Sequence, residues 1–217
     1  MQNSKQQRNA ISIGVSIWIM AILAMVSMGG DFGQVINGST QSVDNLQHVL
    51  YTGLFMWIGI AITDAIVSHG VCVYYNGKVN SMAKWSSIAR YIYTGILAVA
   101  VWKIYSATQS NLEEERSALL HQFESIWQIG LIVFGIHLIL LSKIVGKTDR
   151  WISITRVLLL IAGIGYSLSN TLNLFIPDYE ELRTWIELPF ILPMIVGELS
   201  WGLWLILRGR SVALAID

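Results

Sequence analysis

Four ionisable residues, Asp64, Arg90, His137 and Glu198, fall inside long apolar segments, one in each of four. Charge in hydrocarbon is costly, so such residues normally face a bundle interior, pair with one another and mark proton or substrate pathways. Two chemistries suit these residue types. Asp64 and Arg90 can neutralise each other as a tie between two helices. His137 and Glu198 can partner each other and take up or release protons, as histidines and carboxylates do in intramembrane relays. Each couple also has a plainer role: an ion pair that fixes helix register, and a neutral histidine that packs while donating one hydrogen bond.

Other chemistries find less support. Asp64, His137 and Glu198 could supply the three protein ligands of a catalytic zinc. No HExxH or other close ligand pair accompanies them, however, and Arg90 would add positive charge beside the ion. His69 and Cys72 share an i,i+3 face but lack two further ligands. No metal or cofactor is expected. There is no GxSxG elbow, and Ser68, one turn from Asp64, has no suitable general base. No recognised catalytic motif points to an enzyme. Gly163 and Gly165 lie within an apolar stretch, where glycine serves helix packing rather than phosphate binding.

The elements that hold these residues follow from composition. Of the 217 residues, 54% are hydrophobic and 13% charged, against about 25% charged in soluble chains; mean hydropathy is +0.56. Six apolar segments, approximately 11–30, 48–74, 84–107, 122–146, 151–177 and 185–207, are each near the ~20 residues that cross a bilayer as a helix. The expected fold is all-α, a polytopic membrane helix bundle forming a single transmembrane domain over 1–217. The lipid bilayer is its surrounding partner. A formal net charge of zero argues against nucleic acid, whose phosphates need a basic footprint. The single cysteine, Cys72, excludes an intrachain disulfide.

Orientation follows from the basic residues. Lys5 and Arg8 precede the first segment, Lys78 and Lys84 lie between the second and third, Lys143, Lys147 and Arg150 between the fourth and fifth, and Arg208 and Arg210 after the sixth. The alternate connections hold only Arg116 and Arg183, among Asp31, Asp44, Glu113, Glu114, Glu115, Asp178, Glu180 and Glu181. The positive-inside rule therefore predicts both termini in the cytoplasm. Trp85, Trp151 and Trp185 sit at segment starts, as an interfacial aromatic belt requires. The stretch from Ile11 to Met28 exceeds the ~7–15 residues of a signal-peptide core, so a retained helix is expected.

At ~1.5 Å per residue from the inner ends, Asp64 lies ~15 Å deep, Arg90 ~9 Å, and His137 and Glu198 ~13 Å. The four can therefore meet in one layer, slightly inside the midplane. On the second segment Gly53, Trp57, Ala61, Asp64, Ser68 and Cys72 follow three- and four-residue steps and share a face. Glu187 and Glu198 are three turns apart on the sixth, and Gly163, Tyr166, Asn170 and Asn173 line one side of the fifth. Ser68, Tyr166, Asn170 and Glu187 are thus candidates to line a cavity beside the layer. Pro189 and Pro193 fall near the start of the sixth segment. There they either mark a broken binding-site helix or are tolerated, as proline commonly is in membrane helices.

Several tracts carry a resemblance. Phe134-Gly-Ile-His137-Leu-Ile-Leu-Leu141, Leu160-Ile-Ala-Gly-Ile-Gly-Tyr166 and the stretch from Glu187 to Gly209, with its Gly-Glu198-Leu-Ser-x-x-x-Trp-Leu run, resemble the bacterial membrane family catalogued as domain of unknown function 4386. Asp64, Tyr75, Val79-Asn80 and Arg90 fit the same pattern. The resemblance implies a multi-helix protein of the bacterial cytoplasmic membrane and brings no established activity. Three functional readings remain open. The first is small-molecule or proton-coupled transport or sensing through the polar layer, with self-association supplying further helices. The second is a non-catalytic scaffold or partner subunit in which the layer fixes register. The third is an intramembrane enzyme acting on lipid.

Overall fold

The computed structural model describes the backbone of residues 2–38, 45–75, 81–146, 149–176 and 179–214, and the side chains of 6–38, 45–75, 81–146, 149–176 and 185–209. Lys5, Asp44, Lys78, Val79, Asn80, Lys147, Asp178, Glu180, Glu181, Arg183 and Arg210 lie outside the described side chains.

Among the described residues there are seven helices: α1 (Gln2–Gly29), α2 (Asp31–Ile36), α3 (Leu46–Tyr75), α4 (Ser81–Gln109), α5 (Glu113–Ile144), α6 (Arg150–Phe175) and α7 (Tyr179–Leu214). All but α2 are long and apolar enough to cross a membrane. The chain is an integral membrane protein of six helical spans. Its helices outrun the apolar segments because their polar ends stay helical. Glu113, Glu114 and Glu115 occupy the first turn of α5, where carboxylates face the positive end of the helix dipole. The run is a helix start rather than a loop. α2 carries Phe32, Val35 and Ile36 inward and packs on α1, α3 and α5.

Each spanning helix packs on the one before and the one after it in the chain, and α1 closes against α7. The six therefore form a ring in sequence order. Apolar side chains cover both sides of it: Phe55, Ile62, Trp102 and Leu192 point out, while Trp57, Leu97, Leu138 and Trp201 are buried. In lipid a helix has no need of a polar outer face.

The beginning of α1 and the ends of α3 and α7 meet at one end of the ring. Tyr74 Oη donates to the Gly209 carbonyl at 3.1 Å, and Gly209 lies against Ala10. Along the same half of the seam, a Cβ added to Gly14 would meet the Gly202 carbonyl and stand 2.6 Å from Ile206 Cγ1. Glycines thus let α1 and α7 touch backbone to backbone, the close approach that drives helix association in lipid.

α7 runs unbroken through Pro189 and Pro193, so the prolines do not interrupt it. At this end Asp149 caps α6 by accepting from Ile152 N at 2.9 Å. It also accepts from Arg208 Nη1 at 2.9 Å and Trp204 Nε1 at 3.2 Å, which ties α6 to α7. These donors, with the Ile152 amide foremost, hold the Asp149 carboxyl below its ordinary range.

Candidate functional site

Arg90 crosses the interior of the ring. Its Nε donates to Asp64 Oδ1 on α3 at 3.0 Å. Nη2 stands 2.7 Å from the same oxygen, although its N–H groups are not aimed along that contact. Nη1 donates to Glu198 Oε1 on α7 at 2.6 Å and lies 3.2 Å from His137 Nε2 on α5. The guanidinium also sits over the Phe134 ring, 5.2 Å from its centroid. One side chain from α4 therefore joins α3, α5 and α7. The delocalised, forked guanidinium suits this task better than a point charge would.

The structure brings Asp64, Arg90, His137 and Glu198 into one connected cluster, but with a different internal pairing. His137 and Glu198 are not bonded to each other; each meets Arg90 Nη1. The protonation of His137 follows from its partners. A guanidinium has only donors, so Nε2 must be the acceptor and carries no proton. Nδ1 then carries the proton and donates to the Ser86 carbonyl at 2.9 Å. Ser86 Oγ returns a bond to the His137 carbonyl at 3.3 Å. His137 is a neutral brace between α4 and α5.

The two carboxylates differ in their surroundings. Asp64 is fully buried. Thr94 Oγ1 donates to its Oδ2, and Ser68 Oγ, 3.1 Å from Thr94, donates to the Asp64 carbonyl at 2.9 Å. Glu198 keeps 13% of its side chain exposed, and among the described residues its Oε2 has no hydrogen-bond partner. The exposed part faces a cavity of about 250 Å³. Trp57, Tyr93, Trp127, Phe134 and Tyr166 line that cavity beside Glu198, with Ile17, Met20 and Met194 among the aliphatic wall. On α3 and α5 the lining residues lie on the side of the layer away from the Tyr74–Gly209 contact. Two of them, Met25 on α1 and Ile195 on α7, are exposed, so the cavity reaches the lipid-facing surface between those helices.

Of the other candidates for the cavity wall, only Tyr166 lines it. Ser68 is buried behind Asp64. Asn170 is turned back to the Tyr166 carbonyl at 2.8 Å, and Glu187 is half-buried away from the cavity. Cys72 is exposed, because the buried stripe of α3 drifts through Val67 and Ser68 to Val71. His69 lies 3.3 Å from Tyr91 Oη. Among the described residues no three His, Cys, Asp or Glu side chains converge as metal ligands.

Ser86, Thr94 and Tyr93 were not among the expected site residues. A helical period could have found the first two. Both stand four residues from Arg90, on the same face of α4.

The arrangement can hold one buried cation against two carboxylates, with a neutral histidine as the fourth member. With both carboxylates ionised the layer carries one net negative charge; with a proton on Glu198 it carries none. No solved structure matches the chain. A relative from Archaeoglobus fulgidus, described as "Uncharacterized protein", is 26% identical over 171 residues, which cover 78% of this chain and 90% of that one. A family described as "Domain of unknown function (DUF4386)" matches residues 12–209, and the chain belongs to it.

Proposed function

We propose that this protein is a proton-coupled transporter or sensor of a small molecule, and that Glu198 is the group whose protonation changes the state of the bundle. The observation that supports this reading is the double role of Glu198. It is the only ionisable member of the layer that lines the cavity, and it also holds Arg90 across the ring. A proton or ligand arriving at Glu198 alters its bond to Arg90, and with it the ties from Arg90 to α3 and α5. A ligand shifts a structural equilibrium only by its differential interaction with the two states, and the 2.6 Å contact is where that difference would arise.

The orientation proposed is the one the basic residues favour, with both termini in the cytoplasm. Arg8, Lys84, Lys143, Arg150 and Arg208 lie toward the end of the ring where α1 begins and α7 finishes, and Asp31 and Glu113 to Glu115 toward the other. Lys103 and Arg116 are basic exceptions at the second end. The cytoplasmic membrane is the location proposed with it.

Trp57 and Trp127 share the cavity with Glu198, so their fluorescence reports on it. Purified protein in detergent should show a reversible fluorescence change with pH that Glu198→Gln abolishes. A change that persists in Glu198→Gln would remove Glu198 from this role. A wild-type protein silent to pH would instead favour the reading of the layer as a device that fixes helix register.

A further inference from the structure

We infer that the cavity beside Glu198 binds a small lipophilic organic cation, of the aryl- or alkylammonium class, in exchange for the Glu198 proton. This inference rests on the proposed role of Glu198 and adds the class of ligand.

Charge selects the sign of the ligand. Among the described residues, the only formal charge on the cavity wall is the Glu198 carboxylate. Arg90 is fully buried and is not among the residues that line the cavity, so it presents no donor to an anion there. Glu198 Oε2 has no hydrogen-bond partner among the described residues. The carboxylate can thus meet a cation through Oε2, the oxygen that Arg90 does not hold.

The wall selects the type of cation. Five aromatic residues, Trp57, Tyr93, Trp127, Phe134 and Tyr166, surround the site. They brace one another: Trp57 and Trp127 meet edge to face at 4.9 Å between centroids, as do Phe134 and Tyr166 at 5.4 Å. Aromatic faces attract cations within ~6 Å of the ring centroid, and cages of such rings recognise quaternary ammonium groups. A strongly hydrated metal ion would lose its water here and gain few oxygen ligands beyond the Glu198 carboxylate. An ammonium carrying carbon substituents loses little hydration and fills apolar space.

Size and access agree with this. The volume of about 250 Å³ is somewhat below the ~300–1,000 Å³ usual for drug-sized ligands, which suits a compact cation with a single ring. Met25 and Ile195 are the exposed lining residues, so a lipophilic cation can enter from the bilayer between α1 and α7.

The exchange balances. The O–H bond of protonated Glu198 breaks, the proton leaves to solvent, and the carboxylate left behind pairs with the incoming cation. The titratable or charged groups facing Glu198 are Arg90 and Tyr93 from α4, Asp64 from α3, His137 from α5 and Tyr166 from α6; α1 contributes only apolar lining residues. Arg90 does not deprotonate in proteins, and His137 is bonded as the neutral form. Asp64 accepts from Arg90 and Thr94 as the carboxylate, and phenols such as Tyr93 and Tyr166 ordinarily keep their protons below about pH 10, so the released proton is assigned to Glu198.

The test is calorimetric titration of the purified full chain with benzyltrimethylammonium, in buffers of different ionisation heat, over a range of pH. A quaternary ammonium has no proton of its own, so any proton released comes from the protein. The expected result is binding that tightens as pH rises, with proton release at low pH. Neopentylbenzene, the neutral isostere, and benzenesulfonate should bind at least about tenfold more weakly, a difference of ~1.4 kcal/mol. Glu198→Gln should retain its helicity, lose proton release and bind the cation roughly tenfold more weakly. Equal binding of the cation and the neutral isostere, or unchanged proton release in Glu198→Gln, would overturn the inference. If the fluorescence response to pH is present and depends on Glu198 but the cation does not bind, the ligand class is wrong and the proton reading stands. If that response is missing, both fall.

Discussion

Arg90 Nη1 and Glu198 Oε1 stand 2.6 Å apart although α4 and α7 are not packed neighbours in the ring. The contact is a crossbeam through the bundle rather than a seam between adjacent helices. Removing one partner of a buried ion pair typically costs ~3–5 kcal/mol, because the other charge is left uncompensated. Arg90→Met should therefore lower thermal stability in detergent sharply. Arg90→Lys should recover only part of the loss, since one ammonium lacks the fork that reaches Asp64 and Glu198 together. Thermal unfolding followed by circular dichroism measures both, and equal stability of wild type and Arg90→Lys would contradict the bridging role.

The two carboxylates should not respond equally to neutralisation. Asp64 accepts from Arg90 Nε and Thr94, and an amide at that position would turn a donor toward donors. Glu198 accepts one bond and faces the cavity with its other oxygen, so an amide fits there. Asp64→Asn should destabilise by ~1–3 kcal/mol more than Glu198→Gln, the cost of leaving a buried polar group unsatisfied. The same unfolding measurement decides it.

His137 should be neutral and protonated on Nδ1 at neutral pH. Its Nε2 faces a donor-only guanidinium, and its Nδ1 faces the Ser86 carbonyl at 2.9 Å. Nitrogen-15 magnetic resonance of labelled histidine reads the tautomer directly. A doubly protonated ring at that pH would mean that Arg90 Nη1 does not donate to it.

At the membrane surface, Asp149 links stability to pH. Its carboxyl is held below the ordinary range, chiefly by the Ile152 amide and then by Trp204 and Arg208. Such a group stabilises the fold above its unfolded-state value, and the contribution is lost as pH falls through the lower folded value. Stability should therefore decline on acidification in wild type, and less so in Asp149→Asn, which keeps the cap. Asp149→Ala should lose about 1 kcal/mol at neutral pH as well, the usual worth of a helix N-cap. Unfolding midpoints as a function of pH would show both effects.

Much of this molecule was legible in its residues. Six apolar runs declare six spans, and Asp64, Arg90, His137 and Glu198 stand out because charge is rare in such runs. Counting along each helix gave depth well enough to place the four in one layer. It did not give direction around a ring, so it could not show that both His137 and Glu198 turn to Arg90. Ser86 and Thr94 were readable in principle from their four-residue spacing about Arg90. α2 was too short to stand apart, and the cavity is an absence of atoms shared among helices, which leaves no mark in any one stretch of sequence.

The most direct test of the account is infrared difference spectroscopy of the protein taken through acidification. The carboxylic-acid carbonyl band that appears on acidification should include a component that is missing in Glu198→Gln and is removed in wild type by benzyltrimethylammonium. A full set of bands in Glu198→Gln, unchanged from wild type, would show that the proton does not reside on Glu198 and would contradict the account.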